Sequence, residues 1–153
     1  MKTIIKVAAV IFNGKNKILL IKEKYAKENS FKWNLVKGTY DNASETIVEC
    51  IQREIKEEVG LDVRNIELRK IFHYGGAGEP KILFVFSTQS VGEDVEIPSK
   101  SEQSARNENI ESGQWFDLKE INNIKKEDFI ASYIYLSLKD IGKKTDTVEI
   151  TRI

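Results

Sequence analysis

Two apolar runs, Thr3–Phe12 and Lys17–Lys22, flank Asn13-Gly14-Lys15-Asn16 near the start of the chain. β-Branched runs on either side of an Asn-Gly step predict a β-hairpin, because both turn residues accept positive φ. Tyr25–Lys32 is polar and reads as a loop, and Trp33-Asn34-Leu35-Val36 as a short strand ending at Lys37-Gly38. The period then changes from two to 3.6. Val48, Ile51, Ile55 and Val59 form an apolar stripe that predicts a helix over about 44–59. Asn42 with Glu45 is placed to form its capping box, and Gly60 its left-handed C-terminal stop. Val63–Phe72 and Lys81–Gln89 read as strands joined by the turn Gly75-Gly76-Ala77-Gly78. Ser90–Glu111 is long and polar, a segment of the kind that is functional or mobile. Gln114–Asp117 reads as a short strand. A helix over about 126–141, stopping at Gly142, completes the regular pattern, and the tail Lys143–Ile153 is compatible with a strand or a loose end.

Strands on both sides of one central helix, with a second helix near the end, predict an α/β (α+β) sandwich. Its sheet is expected to be mixed, because it combines a hairpin with a crossover helix. No repeat or linker divides the chain, so residues 1–153 are expected to form one domain.

The 153 residues include 24 basic and 24 acidic side chains, for a net charge of zero. That balance argues against a general nucleic-acid binder, so a polyanionic ligand would have to be held by metal or a local basic cluster. The single cysteine, Cys50, fits a reducing, cytoplasmic setting and reads as a small buried residue. Lys6 and the Asn13-Gly14 step make the apolar start a first strand rather than a signal peptide, and no run is long enough to span a membrane.

The helix over 44–59 carries an unusual polar arrangement. Glu45, Glu49, Gln52 and Lys56 lie roughly opposite the apolar stripe, as a solvated face should. Glu54, Glu57 and Glu58 instead share an arc beside the stripe, at i, i+3 and i+4, continuing the direction of Ile47 and Cys50. Carboxylates about 4 Å apart repel by about 4 kcal/mol at an effective dielectric of 20. Such a group either takes up protons or binds a hard cation such as Mg²⁺ or Mn²⁺. Arg53 is spaced to orient Glu57 or Glu49.

The wider pattern, Gly38 followed by Glu45, seven residues, then Arg53-Glu54-Ile55-Lys56-Glu57-Glu58-Val59-Gly60-Leu61, resembles the Nudix box. Trp33-x-Leu35 before Gly38 and the later Trp115-Phe116 are similar to the same family. Two departures fall in the loop before the helix. Six residues rather than five separate Gly38 from Glu45, and Val36-Lys37 replaces the usual Pro-Gly.

The resemblance implies a Nudix-type α/β/α sandwich and a MutT-like pyrophosphohydrolase. Its substrate would be a nucleoside diphosphate linked to another moiety: an NTP or dNTP, ADP-ribose, a dinucleoside polyphosphate or a nucleotide sugar. Glu54, Glu57, Glu58 and the Gly38 carbonyl would hold Mg²⁺, with Mn²⁺ as the substitute. Arg53 and Glu57 would belong to the catalytic group, and the general base would be Glu54 or a later loop carboxylate. Glu108 is favoured over Glu111 and Glu102 for that loop position. Tyr74 and Lys37 are the candidate substrate contacts. Lys81 and Arg106 are lesser phosphate candidates, Phe84 and Phe86 could stack a base but read rather as core, and His73 reads as structural or at the substrate's edge. The alternative is a catalytically silent module that binds a nucleotide. For partners, the resemblance implies a small-molecule nucleotide and allows a homodimer, with neither nucleic acid nor membrane.

Overall fold

The computed structural model describes residues 2–143 and 147–153. Its strands are β1 (Ile4–Phe12), β2 (Ile18–Glu23), β3 (Lys32–Asn34), β4 (Val36–Thr39), β5 (Asp62–Tyr74), β6 (Lys81–Val91), β7 (Ile110–Phe116) and β8 (Glu149–Arg152). The helices are α1 (Ile47–Val59), α2 (Lys100–Ala105), α3 (Leu118–Asn122) and α4 (Ser132–Lys139).

All eight strands join one mixed sheet, with the order β3-β2-β1-β6-β5-β8. The Asn13 hairpin forms as expected, and the Asn13 carboxamide oxygen accepts from the Lys15 and Lys17 N–H groups at 2.9 Å. Beyond Phe12↔Ile18, however, β1 and β2 part. Strand β4 takes the freed edge of β1, from Lys6↔Thr39 to Ala9↔Val36, while β7 pairs with β2. The sheet therefore splays open beside β4, and α1 lies across that opening.

Alternation along the strands builds two cores. Val7, Ala9, Ile11, Val36 and Phe86 meet Cys50, Ile51, Ile55 and Val59 of α1. Ala8, Val10, Phe72, Leu83 and Val85 point the other way, toward Tyr133, Ile134 and Leu138 of α4. The result is an α/β/α sandwich whose buried aliphatic side chains contribute about 1.5–3 kcal/mol each.

Several elements differ from the sequence expectation. Helix α1 starts at Ile47, because its capping box uses Thr46 and Glu49 in place of Asn42 and Glu45. Val48 is 41% exposed and lies off the stripe, whose inner side is Cys50, Ile51 and Ile55. The strand over Trp33–Val36 is broken at Leu35 into β3, on β2, and β4, on β1. Gly38 consequently lies within a strand rather than in a loop. The stretch Ser90–Glu111 contains the end of β6, all of α2 and the start of β7.

The helix expected over 126–141 is interrupted. Lys126–Asp128 form a 3-10 turn, after which Phe129 is extended. Ile130 N–H donates to the Trp33 carbonyl at 2.9 Å and buried Phe129 bridges to Trp33, so tertiary pairing overrides helical continuation. The tail forms β8 parallel to β5; residues 144–146 of its expected span lie outside the described residues. No helix among the described residues is long and apolar enough to cross a membrane.

Candidate active site

Helix α1 is fixed at both ends before its acidic face is considered. Thr46 Oγ1 accepts from Glu49 N–H, and the Glu49 carboxylate accepts from Thr46 N–H at 2.6 Å. At the other end Gly60 adopts φ +72° and donates to the Lys56 carbonyl. Between these caps Glu54 and Glu58, one turn apart, point into the splayed region of the sheet with 8% and 2% exposure. The Glu58 carboxylate accepts from Lys37 N–H of β4 at 3.1 Å. Gly38 is a glycine for lack of room: a Cβ there would run into the Glu54 side chain.

The third carboxylate arrives from the turn between α2 and β7. Buried Gln103 holds that turn, its amide donating to the Pro98 and Ile110 carbonyls at 3.0 and 3.1 Å and accepting from Ile110 N–H at 2.6 Å. Glu108 N–H donates to the Gln103 carbonyl, and Asn107 takes φ +55° to complete the bend. Ligand oxygens of Glu54, Glu58 and Glu108 thereby come within 4.8 Å of one another. Glu108 Oε2 is buried without a hydrogen-bond partner.

Burial pushes the Glu54 carboxyl up to about 7, helped by Glu57 and Glu108 and opposed by Arg53. Burial raises Glu58 well above the usual range, with Glu23, Glu54 and Glu108 adding to the effect. Glu108 is raised as well, chiefly by burial and against the pull of Arg106. Three converging oxygen donors, disfavoured as anions and including one orphaned atom, fit a hard divalent cation.

Arg53 is the hub of the outer ring. Its guanidinium donates to Glu45 at 2.8 and 3.0 Å, to Glu54 at 3.1 Å and to Glu57 at 3.2 Å. Glu45 therefore serves the site instead of solvating the helix. Glu49, the other expected partner of Arg53, is spent on the cap. Glu57 faces Arg53 and, at 3.7 Å, Arg106, so the structure leaves it outside the three-carboxylate group. Tyr40 O–H donates to the Glu45 carbonyl at 2.8 Å.

Lys37 and Tyr74 line a cavity of about 620 Å³ on the α4 side of the sheet. The Lys37 ammonium lies 5.0 Å from the Tyr133 ring centre and 5.7 Å from that of Tyr25. Burial, reinforced by Lys6, lowers it to about 8. Lys81 lies in the same cavity, 6.0 Å from the Tyr74 ring. Of the other candidates, Glu102 caps α2 through Ser99, while Glu111 and His73 are exposed. Phe86 and Cys50 are core residues, and Phe84 packs against the core under α1.

Sequence reasoning missed Glu23, Gln103, Lys6, Tyr25 and Tyr133. Glu23 is 8% exposed at the end of β2 and accepts from Asn34 Nδ2 at 2.7 Å. A lone glutamate ending a strand carries no signal of that burial. Gln103 could have been suspected only from a helix inside the polar stretch, for which the Ser99–Glu102 capping box is the cue.

The family model of the NUDIX domain matches residues 2–138 of the chain. The chain belongs to the Nudix family. Its sandwich is the Nudix fold, and it is similar to a NUDIX hydrolase from Nitrosomonas europaea, with 26% identity and a TM-score of 0.72 over 92% of this chain and 89% of that one. The MutT protein from Methanosarcina mazei Go1 is also 26% identical, with a TM-score of 0.66 over 93% and 96% of the two chains. Among curated Nudix relatives, the 8-oxo-dGDP phosphatase NUDT18 of Danio rerio is 31% identical over 140 residues, 90% of this chain and 38% of its own length. The NAD-capped RNA hydrolase NudC of Vibrio atlanticus is 26% identical over 92% of this chain and 47% of its own. The chain thus spans less than half the length of these two curated relatives.

Proposed function

We propose that this protein is a divalent-metal-dependent pyrophosphohydrolase, in which water attacks one phosphorus of a substituted diphosphate. The P–O–P bridge breaks and two phosphate-bearing products leave. The observation that carries this reading is the meeting of Glu108 with Glu54 and Glu58, three carboxylates with ligand oxygens within 4.8 Å. Further support comes from relatives named for 8-oxo-dGDP and for NAD-capped RNA.

Glu54 and Glu58 are the residues that would hold Mg²⁺ or Mn²⁺, with one oxygen of Glu108 completing the set. Such an ion, when bound, polarises phosphoryl oxygens and makes the attacking water more acidic. Glu108 receives the water's proton on the oxygen that does not face the ion, in keeping with a carboxyl raised by burial against the pull of Arg106. Arg53 fixes the rotamers of Glu54 and Glu57 through the hydrogen bonds already described, and Glu57 offers a further carboxylate once the phosphates draw Arg106 away. Lys37 and Tyr74 contact the substrate beyond the scissile bridge. The described chain acts as one domain in the cytoplasm, where its single buried thiol requires no pairing.

The test is release of phosphate and pyrophosphate from nucleoside triphosphates, 8-oxo-dGDP, dinucleoside polyphosphates, ADP-ribose and nucleotide sugars, with and without Mg²⁺. Glu54→Gln and Glu108→Gln run in parallel. Turnover is expected only with metal and should fall at least about 100-fold in either variant. Metal-dependent binding of these compounds with no turnover of any would replace the hydrolase with a silent nucleotide-binding module.

A further inference from the structure

The cavity that contains Lys37 has a chemistry of its own. The strand faces that build the α4-side core end there in polar residues. On β1, Ala8 and Val10 are preceded by Lys6; on β6, Leu83 and Val85 by Lys81; on β5, Phe72 is followed by Tyr74. Lys37 enters from β4, and Tyr25 and Tyr133 complete the wall. Three ammonium groups thus converge on one cavity. Lys6 donates to Thr39 Oγ1 at 2.6 Å, and Lys81 lies 3.5 Å from the Glu79 carboxylate. Among the described residues neither Lys6 nor Lys37 forms an ion pair with a carboxylate.

The lining contains no Asp, Glu, Asn, Gln or His. The neighbouring amide that could have read a ligand's hydrogen-bonding edge, Asn34, is 1% exposed and fully used. It donates to Glu23 and Tyr25 and accepts from Leu35 N–H and the Tyr133 hydroxyl. Helix α4 also opens onto the cavity at Ala131 and Ser132, and among the described residues it is the one α-helix without a side-chain N-cap. The charged groups of this pocket therefore donate, and the other polar side chains beside them are hydroxyls. A nucleobase edge presents donors and acceptors together, whereas a phosphate monoester presents only acceptor oxygens and two negative charges.

We infer that this cavity binds a phosphate monoester carried by the substrate on the far side of the scissile diphosphate, so that the preferred substrate class is a phosphorylated sugar or polyol diphosphate rather than a diphosphate ending in a free nucleobase. The placement relative to the scissile bond rests on the hydrolase reading; the anion site itself rests on the cavity.

The experiment separates the two. Without metal, the protein is titrated calorimetrically with ribose 5-phosphate, ribose and guanosine. Ribose 5-phosphate is expected to bind at least about ten-fold more tightly than either neutral compound. Lys6→Gln and Lys81→Gln should each weaken it about ten-fold, as loss of a charge-assisted hydrogen bond does. Lys119→Gln, on exposed α3, should leave it unchanged, and circular dichroism checks that each variant folds. Lys81, at a strand end, serves if Lys6→Gln does not fold. With Mg²⁺, 5-phosphoribosyl 1-diphosphate should then be cleaved with a higher kcat/KM than ADP-ribose. Guanosine binding as tightly as ribose 5-phosphate, or a phosphate affinity unmoved by both lysine variants, overturns the inference. Lysine-dependent phosphate binding without turnover of any diphosphate would sustain the anion site while removing the hydrolase reading.

Discussion

Gly38→Ala tests whether the approach of β4 to α1 exists to leave Glu54 its place. A methyl at Gly38 would overlap the Cγ, Cδ and Oε1 atoms of Glu54. Strand β4 cannot retreat cheaply, because Gly38 pairs with Val7 in a run from Lys6↔Thr39 to Ala9↔Val36. The side chain must therefore swing out, giving up its 3.1 Å hydrogen bond from Arg53. Overpacking of this kind costs about 1–3 kcal/mol. Part of that is returned when a carboxylate held at about 7 by burial regains water. Metal-free stability should thus fall by only about 1 kcal/mol, while affinity for Mn²⁺ should drop about 10- to 100-fold, the equivalent of about 1.4–2.8 kcal/mol. Calorimetric titration and urea denaturation measure the two quantities. The decisive comparison is a double-mutant cycle with Glu54→Ala, in which the collision disappears. Gly38→Ala should add nothing to the affinity loss of Glu54→Ala. An equal loss from Gly38→Ala in both backgrounds would refute the eviction, and so would unchanged Mn²⁺ affinity in the single variant.

The same burial makes stability pH-dependent. Folded, metal-free protein keeps a proton on Glu54 up to about 7, whereas the unfolded chain releases it near the ordinary 4.5. Stability should decline as pH rises across that window, by about 3 kcal/mol for this group alone, and saturating Mg²⁺ should flatten the decline in urea titrations. Gln103→Ala strips partners from Ile110 N–H, Ile110 C=O and Pro98 C=O. It should cost about 2 kcal/mol in urea denaturation and weaken Mn²⁺ binding while sparing ribose 5-phosphate binding, because only the Glu108 turn is loosened. Thr46→Ala should lose about 1 kcal/mol in thermal unfolding with KM unaltered, since the cap fixes the helix and touches no ligand. A raised KM would mean that the cap also positions the site.

What could be read from the chain divides along physical lines. The Asn13 hairpin, the body of α1, the strands β5 and β6, and the place of Glu54 and Glu58 beside the apolar stripe were legible because local periodicity and turn chemistry determine them. The breaks at Leu35 and Phe129 were not, since each exists only through pairing with a distant strand. Val48 carried the right period yet lies exposed, because the sheet covers only part of the stripe. Glu108 was one of three loop carboxylates, favoured only through the resemblance, and its approach to Glu54 depends on α2 and on the Gln103 amide. Glu57 looked equivalent to its neighbours in spacing, and the two arginines beside it make the difference. Lys81 was only a lesser phosphate candidate and Lys6 only a break in an apolar run until parallel pairing of β1 with β6 set them on one face.

That pairing also governs when the protein can become competent. The register from Ile4↔Lys81 to Phe12↔Gln89 joins the first strand to one made much later in the chain. Such non-local contacts incur loop-closure entropy before they return any stabilisation, which slows folding. During synthesis α1 emerges with its glutamates well before β6 and the Glu108 turn exist. Metal added to refolding protein should therefore be captured in the last kinetic phase, after β1 has found β6, and the rate of capture should follow sheet closure rather than helix formation.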